Sequence, residues 1–196
     1  PSVPADHLPY TAGSWFTAET NMRSAAEEAL RCALQAGMYI YAMDFFQSDG
    51  VVPPGSVGQF STDWVGERGN PTSNMAWIEA WSERHGATGI LTDGAEGLFL
   101  AHPGEGAIAL DPFPAPVTVD STGAGDVFRA GVLRSLELGE LLGDGLAFGA
   151  AAAAIKVGTL GANEGIPTLS GVEAHRDASP EVRDAFRRVP DLPWRR

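Results

Sequence analysis

Apolar and small residues recur at helical spacing over 20–36, where Met22, Ala25, Ala26, Ala29, Leu30 and Ala33 share one face and Gly37 supplies a stop. The apolar run 38–43 that follows, closed by Asp44, predicts a buried strand. Asn70 and Pro71 form a cap and first-turn pair for a helix reaching His85, with Trp77, Ile78 and Trp81 inward and Gly86 as its end. A strand over 88–91, a glycine-bearing turn and a second strand to Leu100 read as a hairpin, and another extended stretch surrounds Ile108. The segment 116–119 is extended in character and runs toward a helix over 124–138, with Val127, Phe128, Ala130, Leu133 and Leu136 apolar. An alanine-rich helix over 144–157 comes next, and spacing around Val182 and Phe186 in the arginine-bearing tail predicts a surface helix. Residues 1–12, rich in proline and small side chains, read as a loose lead-in. This alternation predicts an α/β fold, a mostly parallel sheet flanked by helices on both faces, in a single domain over 1–196 with 176–196 as a tail.

The candidate chemistry lies where 116–119 meets the helix: Asp120-Ser121-Thr122-Gly123-Ala124-Gly125-Asp126-Val127-Phe128. Gly123 and Gly125 clear side chains from the turn, so the amides of the first helical turn can approach an anion such as phosphate. A carboxylate at Asp126 would repel that phosphate, yet it is well placed to take the proton of a hydroxyl attacking it. That division of labour belongs to a small-molecule kinase. The blander alternative makes Thr122 the helix N-cap and Asp126 a complement to the helix dipole.

The stretch resembles the C-terminal signature of the ribokinase (PfkB) family of sugar and nucleoside kinases, Asp-Thr-x-Gly-Ala-Gly-Asp-x-Phe, with Ser121 as the one departure. The resemblance implies that Asp126 is the general base and that the amides of Gly123, Ala124 and Gly125 form an anion hole. The hairpin turn Thr92-Asp93-Gly94-Ala95-Glu96-Gly97 looks like the family's Thr-x-Gly-x-x-Gly nucleotide loop, which assigns Thr92, Gly94 and Gly97 to ATP contact; alone it is an ordinary hairpin. Gly161-Ala162-Asn163-Glu164-Gly165-Ile166-Pro167 resembles the family's closing Gly-Ala…Pro segment. By the same resemblance Asp120 and the Thr122 carbonyl match a monovalent-cation site, with K+ as the ion, and Ala150 stands where several relatives place an Asn beside the adenine. ATP and Mg2+ are the implied cofactors, a sugar or sugar-like alcohol the implied partner, and ribokinase-like the implied fold.

Other phosphate motifs fit less well. A dinucleotide fingerprint needs a third glycine where Phe128 stands, no Gly-x-x-x-x-Gly-Lys-Ser/Thr loop occurs, and the Gly-x-Ser-x-Gly elbow of serine hydrolases is absent. With 196 residues, 44% of them hydrophobic, the chain can bury one good core. A formal net charge of -12 argues against nucleic acid and anionic membranes as partners, and leaves ATP to be held by backbone amides and Mg2+ rather than by a basic patch. Cys32 is the only cysteine, which rules out an internal disulfide and points to a reducing cytoplasm. No apolar run is long enough to span a bilayer and no basic-then-apolar leader is legible, although the chain begins with Pro rather than Met, so that a processed or trimmed start is the expectation.

Three departures from the family pattern shape the expectation. Relatives are longer at the N-terminus, where they carry further strands, a lid and the sugar-gripping segment, so this chain reads as the nucleotide-binding portion. Residues 47–69 are too short and too rich in Gly and Pro to hold both a helix-strand unit and the Asn-x-x-Glu element of relatives, which leaves Glu67 and Asn70 as substitutes. Ala150 in place of Asn puts base recognition in question. Two functions therefore stand: phosphoryl transfer from ATP to a sugar hydroxyl, and a non-catalytic nucleotide-binding or interaction module. A missing half would expose sheet edges and apolar surface and favour a homo-oligomer. His7, His85, His102 and His175 show no ligand spacing, Trp77 and Trp81 read as core, and Asp44 reads equally as a strand-end turn cap and, by the resemblance, as the acidic residue common at that strand end in relatives.

Overall fold

A computed structural model describes residues 5–19, 23–44 and 52–192; Met22, Gln47 and the ends of the chain lie outside them. Six strands form one sheet in the order β1 (Trp15–Glu19), β2 (Tyr39–Met43), β3 (Val57–Ser61), β4 (Thr88–Thr92), β5 (Leu98–His102) and β6 (Gly106–Leu110). The pairs β1–β2 and β2–β3 are parallel, with Trp15 opposite Tyr39 and Tyr41 opposite Val57. Helices α1 (Arg23–Gln35) and α2 (Pro71–His85) make the crossovers β1–α1–β2 and β3–α2–β4. The loops β4–β5 and β5–β6 are too short for any crossover, so these neighbours run antiparallel. The result is a mixed α/β sheet, parallel at one side and a meander at the other.

The chain divides into two compact units, one comprising the residues up to Leu91 with Phe99–Ile108, the other Thr92–Leu98 with everything from Ala109. In the first, α1 contributes Ala26, Leu30 and Ala33 and α2 contributes Ile78 and Trp81 to a core with Ile40, Ala42, Phe60, Leu91, Phe99 and Ala101. These strand residues share one sheet face by the two-residue period. Phe60 meets Trp77 and Trp81 edge-on, with ring centroids 5.2 and 4.7 Å apart. Glycines clear that space: a Cβ on Gly89 would lie 2.6 Å from Ile78, and one on Gly58 would strike the Trp81 ring. Trp77 and Trp81 are therefore core residues, whereas Trp64 is 71% exposed.

The start of α2 follows its sequence closely. Asn70 caps it by accepting the Ser73 amide at 3.1 Å, Pro71 opens it, and Gly86, left-handed at φ 60, closes it. Asn74, fully buried, clamps the preceding loop with two 2.8 Å hydrogen bonds, accepting the Glu67 amide and donating to the Glu67 carbonyl. Two further buried pairs are Tyr41, which donates to Gln59 at 2.8 Å, and Thr88, whose Oγ1 lies 2.9 Å from His102 Nδ1.

In the second unit α3 (Ala124–Glu137) packs on α4 (Leu142–Lys156), followed by α5 (Leu169–Asp177) and α6 (Pro180–Phe186). The α3–α4 contact is made by glycines: a Cβ on Gly131 would lie 2.7 Å from the Gly149 Cα, and one on Gly149 would lie 2.6 Å from the Phe128 carbonyl. The helix backbones approach this closely only because both positions lack side chains.

Several expectations need correction. Residues 116–119 form no strand; they are irregular, with Val117 and Val119 exposed, because their backbone is bonded to the Val157 carbonyl instead of a sheet neighbour. Strands β1 and β3 and helix α5 are not in the sequence reading, β3 because its Gly-Pro-rich flanks mask a short buried run. The lead-in holds a one-turn 3-10 helix at Ala5–His7, fastened by Tyr10 donating to the Ala5 carbonyl at 2.7 Å. The tail helix is anchored, since Phe186 is fully buried and stacks on Phe113 at 5.7 Å.

Candidate functional site

The catalytic, nucleotide and cation residues expected from the sequence all fall in the second unit: Thr92, Gly94, Gly97, Asp120, Thr122, Gly123, Ala124, Gly125, Asp126 and Ala150. The 120–126 loop enters α3 through Gly123, which is left-handed at φ 80 and leaves no room for a side chain, since its Cβ would lie 2.5 Å from the Ala162 carbonyl. Thr122 does not cap the helix. Its hydroxyl and amide both donate to Asp120 Oδ1, at 2.7 and 3.0 Å, which excludes the blander N-cap reading of Thr122.

Asp120 fastens this loop to the segment after α4. Its Oδ2 accepts the Gly161 amide at 2.8 Å, while the Val157 carbonyl accepts the amides of Val119 and Asp120 at 2.7 and 3.0 Å. The Gly161 amide above all, then the Thr122 hydroxyl and amide, hold the Asp120 carboxyl down at about 2, below its ordinary 3.8. Lys156, fully buried at the end of α4, adds positive charge beside it and donates to the Gly161 carbonyl at 2.8 Å.

Asp126 stands in the first turn of α3 with its side chain 60% exposed, and its Oδ1 accepts from Arg129 at 2.7 Å. Arg129 itself is only 17% exposed, so the guanidinium is the fixed partner and the carboxylate the accessible one. Of the amides assigned to the anion hole, that of Ala124 is committed to the Ser121 carbonyl at 3.0 Å, whereas that of Gly123 has no backbone acceptor among the described residues. The turn at 92–97 is closed by the Asp93 amide donating to the Gly97 carbonyl at 2.8 Å. Gly97 is required by the fold, because a Cβ there would strike the Leu110 carbonyl, while Gly94, left-handed at φ 57, has nothing within 4 Å of its would-be Cβ. Ala150 is half-buried on α4.

The structure thus joins the 120–126 loop to 157–162, and ties the 92–97 turn to Leu110. Glu67 and Asn70, the substitutes named for the Asn-x-x-Glu element, belong to the first unit, where Asn70 donates to Glu67 at 2.8 Å. Sequence reasoning missed Arg129 and Lys156. The i,i+3 spacing from Asp126 was a usable signal for Arg129, but a lysine ending an apolar helix reads as an ordinary complement to the helix dipole.

The model of the pfkB family carbohydrate kinases matches residues 62–169, more than half of the chain and the whole of this site from Thr92 to Gly161. The chain belongs to the pfkB family of carbohydrate kinases. Mouse ketohexokinase is 37% identical to this pfkB chain over 78 residues, 40% of the chain and 26% of that protein. Aminoimidazole riboside kinase from Salmonella enterica superposes with a TM-score of 0.73 at 21% identity, over 89% of the chain and 66% of that structure. Fructokinase from Vibrio cholerae does so with a TM-score of 0.70 at 19% identity, over 89% and 64%. At these identities the structures show the shared ribokinase-like fold. The chain spans about a quarter of its curated relative's length and under two thirds of these structures. Among the described residues no helix is long and apolar enough to cross a membrane, and no group of three His, Cys, Asp or Glu side chains is arranged to hold a metal.

Proposed function

We propose that this chain is the nucleotide-binding portion of a carbohydrate kinase that passes the γ-phosphoryl group of ATP to a hydroxyl of a sugar or sugar-like alcohol. The observation that carries the reading is Asp126: an accessible carboxylate in the first turn of α3, directly behind the side-chain-free Gly123, inside the segment matched by the family. The Salmonella structure is a complex with aminoimidazole riboside and an ATP analogue, and the Vibrio structure holds fructose and ADP, which supports a sugar-like acceptor and an adenine nucleotide.

In this reading Arg129 holds Asp126 through Oδ1 and leaves the other carboxylate oxygen to take the proton of the attacking hydroxyl. The Gly123 amide, with the dipole of α3 behind it, stabilises charge on the transferring group, and the Ala124 amide joins only by giving up Ser121. When bound, Mg-ATP would supply the electrophilic phosphorus and a divalent charge that offsets the negative phosphate oxygens. Because the described residues offer no dense carboxylate cluster, Mg2+ would be held mainly by the nucleotide phosphates and water. Thr92 and the open Gly94 are the proposed nucleotide contacts of the 92–97 turn, with Gly97 shaping it, and Ala150 on α4 is the proposed neighbour of the base.

The short coverage of the relatives favours a second reading, a nucleotide-binding module without catalysis. Calorimetric titration with Mg-ATP and a phosphoryl-transfer assay across a panel of sugars separate the two. On the kinase reading Asp126→Asn keeps nucleotide affinity within about threefold and lowers turnover by about 10²–10⁴. Saturable binding with no product on any sugar establishes the module; a mutant with full turnover removes Asp126 as base.

A further inference from the structure

Lys156 departs from what a helix-ending lysine usually does. Such a side chain normally runs out to water, yet Lys156 is 0% exposed, one of the largest fully buried side chains of the chain. Its ammonium reaches past the end of α4 to the carbonyl oxygens of Gly161 at 2.8 Å and Thr159 at 3.5 Å. It forms no direct ion pair among the described residues. The negative charge nearest in the network is Asp120, bonded to the amide of the same Gly161 whose carbonyl takes Lys156.

This donor set does not suit a free monovalent ion. Such an ion needs converging oxygen lone pairs, and those of Thr159 and Gly161 are directed at the ammonium. Both oxygens of Asp120 already accept hydrogen bonds, Oδ1 from Thr122 and Oδ2 from Gly161. A second positive charge would also have to enter beside one that is buried and cannot move away.

We propose that the Lys156 ammonium is a built-in cation that replaces a free monovalent ion beside the 120–126 loop, so that this chain orders the Asp120–Gly161 junction without K+. A tethered cation costs no binding entropy and is present at any salt composition, so the junction is always assembled. The inference rests on the nucleotide-site reading only for what that junction serves.

The test is thermal unfolding of the chain in KCl and in choline chloride at equal ionic strength, without nucleotide, for the wild type and for Lys156→Met and Lys156→Gln. The wild type is expected to melt at the same midpoint in both salts. At least one variant, with its carbonyls released, is expected to melt lower in choline and to recover by about 3 °C or more in K+. A K+-specific rise in the wild-type midpoint overturns the proposal. So does the absence of any K+-specific recovery in both variants, whether they are folded or not. Since no nucleotide is present, failure of the kinase reading leaves this result standing.

Discussion

Asp120 Oδ2 accepts the backbone amide of Gly161 at 2.8 Å, across 41 residues of sequence. This bond, with the two amides that converge on the Val157 carbonyl, fixes the loop that carries Asp126 against the segment leaving α4. The placement of the loop that carries Asp126 thus depends on the Asp120 carboxylate.

The pH dependence of stability follows from the same bond. The Asp120 carboxyl is held at about 2 in the folded chain, below its ordinary 3.8. A depressed folded pKa means that the contribution is complete above about pH 4 and is lost as pH falls through about 2. Asp120→Asn is expected to melt below the wild type at pH 6, and the gap should close between about pH 4 and pH 2. Urea melts at pH steps across that window check it; a gap independent of pH would remove the ionised carboxylate as the cause.

Gly123 tests the junction from the opposite side. Alanine there must adopt φ 80 and place a Cβ 2.5 Å from the Ala162 carbonyl, so Gly123→Ala is expected to cost about 1–3 kcal/mol and to weaken Mg-ATP binding. Gly94→Ala shares the positive φ but meets nothing within 4 Å, so it should cost about 1 kcal/mol. Chemical denaturation of both variants measures the difference, and equal losses would show that the clash with Ala162 is relieved by movement of the loop.

Trp81 carries the first unit's core. Its ring is buried against Phe60 and the side-chain-free Gly58, and Trp81→Ala is expected to cost about 3–5 kcal/mol. Trp64→Ala, at a side chain 71% exposed, should stay within about 0.5 kcal/mol in the same denaturation experiment.

Asn74 is expected to behave as a loop clamp. Removing its amide in Asn74→Ala leaves the Glu67 amide and carbonyl without their 2.8 Å partners, a loss of about 1–3 kcal/mol. Hydrogen exchange at the 66–70 loop should rise faster than the global average; uniform exchange would place the effect elsewhere.

What the sequence could show was local. Asn70-Pro71 and Gly86 marked both ends of α2 because cap hydrogen bonds, proline geometry and a left-handed glycine act within a few residues. The catalytic candidates of the 120–126 loop were legible for the same reason, since an exposed aspartate behind a glycine turn is a matter of spacing along one helix start. Strand β3 was hidden because five residues between Gly- and Pro-rich flanks carry little periodicity. Residues 116–119 misled because an extended apolar stretch looks alike whether its backbone finds a sheet neighbour or, as here, the Val157 carbonyl.

By itself, then, the amino-acid order determined the α/β alternation, the boundaries of α2, the glycine turns and the Gly-rich entry into α3 with an aspartate in its first turn, all products of short-range sterics and hydrogen bonding. Only the tertiary structure decided that Thr122 serves Asp120 rather than the helix, that Arg129 holds Asp126, and that Lys156 is sealed against the carbonyls of Thr159 and Gly161. Where a polar side chain finds its partner is set by the packing that removes water around it, and the complete burial of Lys156 is such a packing outcome, which helical spacing in the sequence does not show.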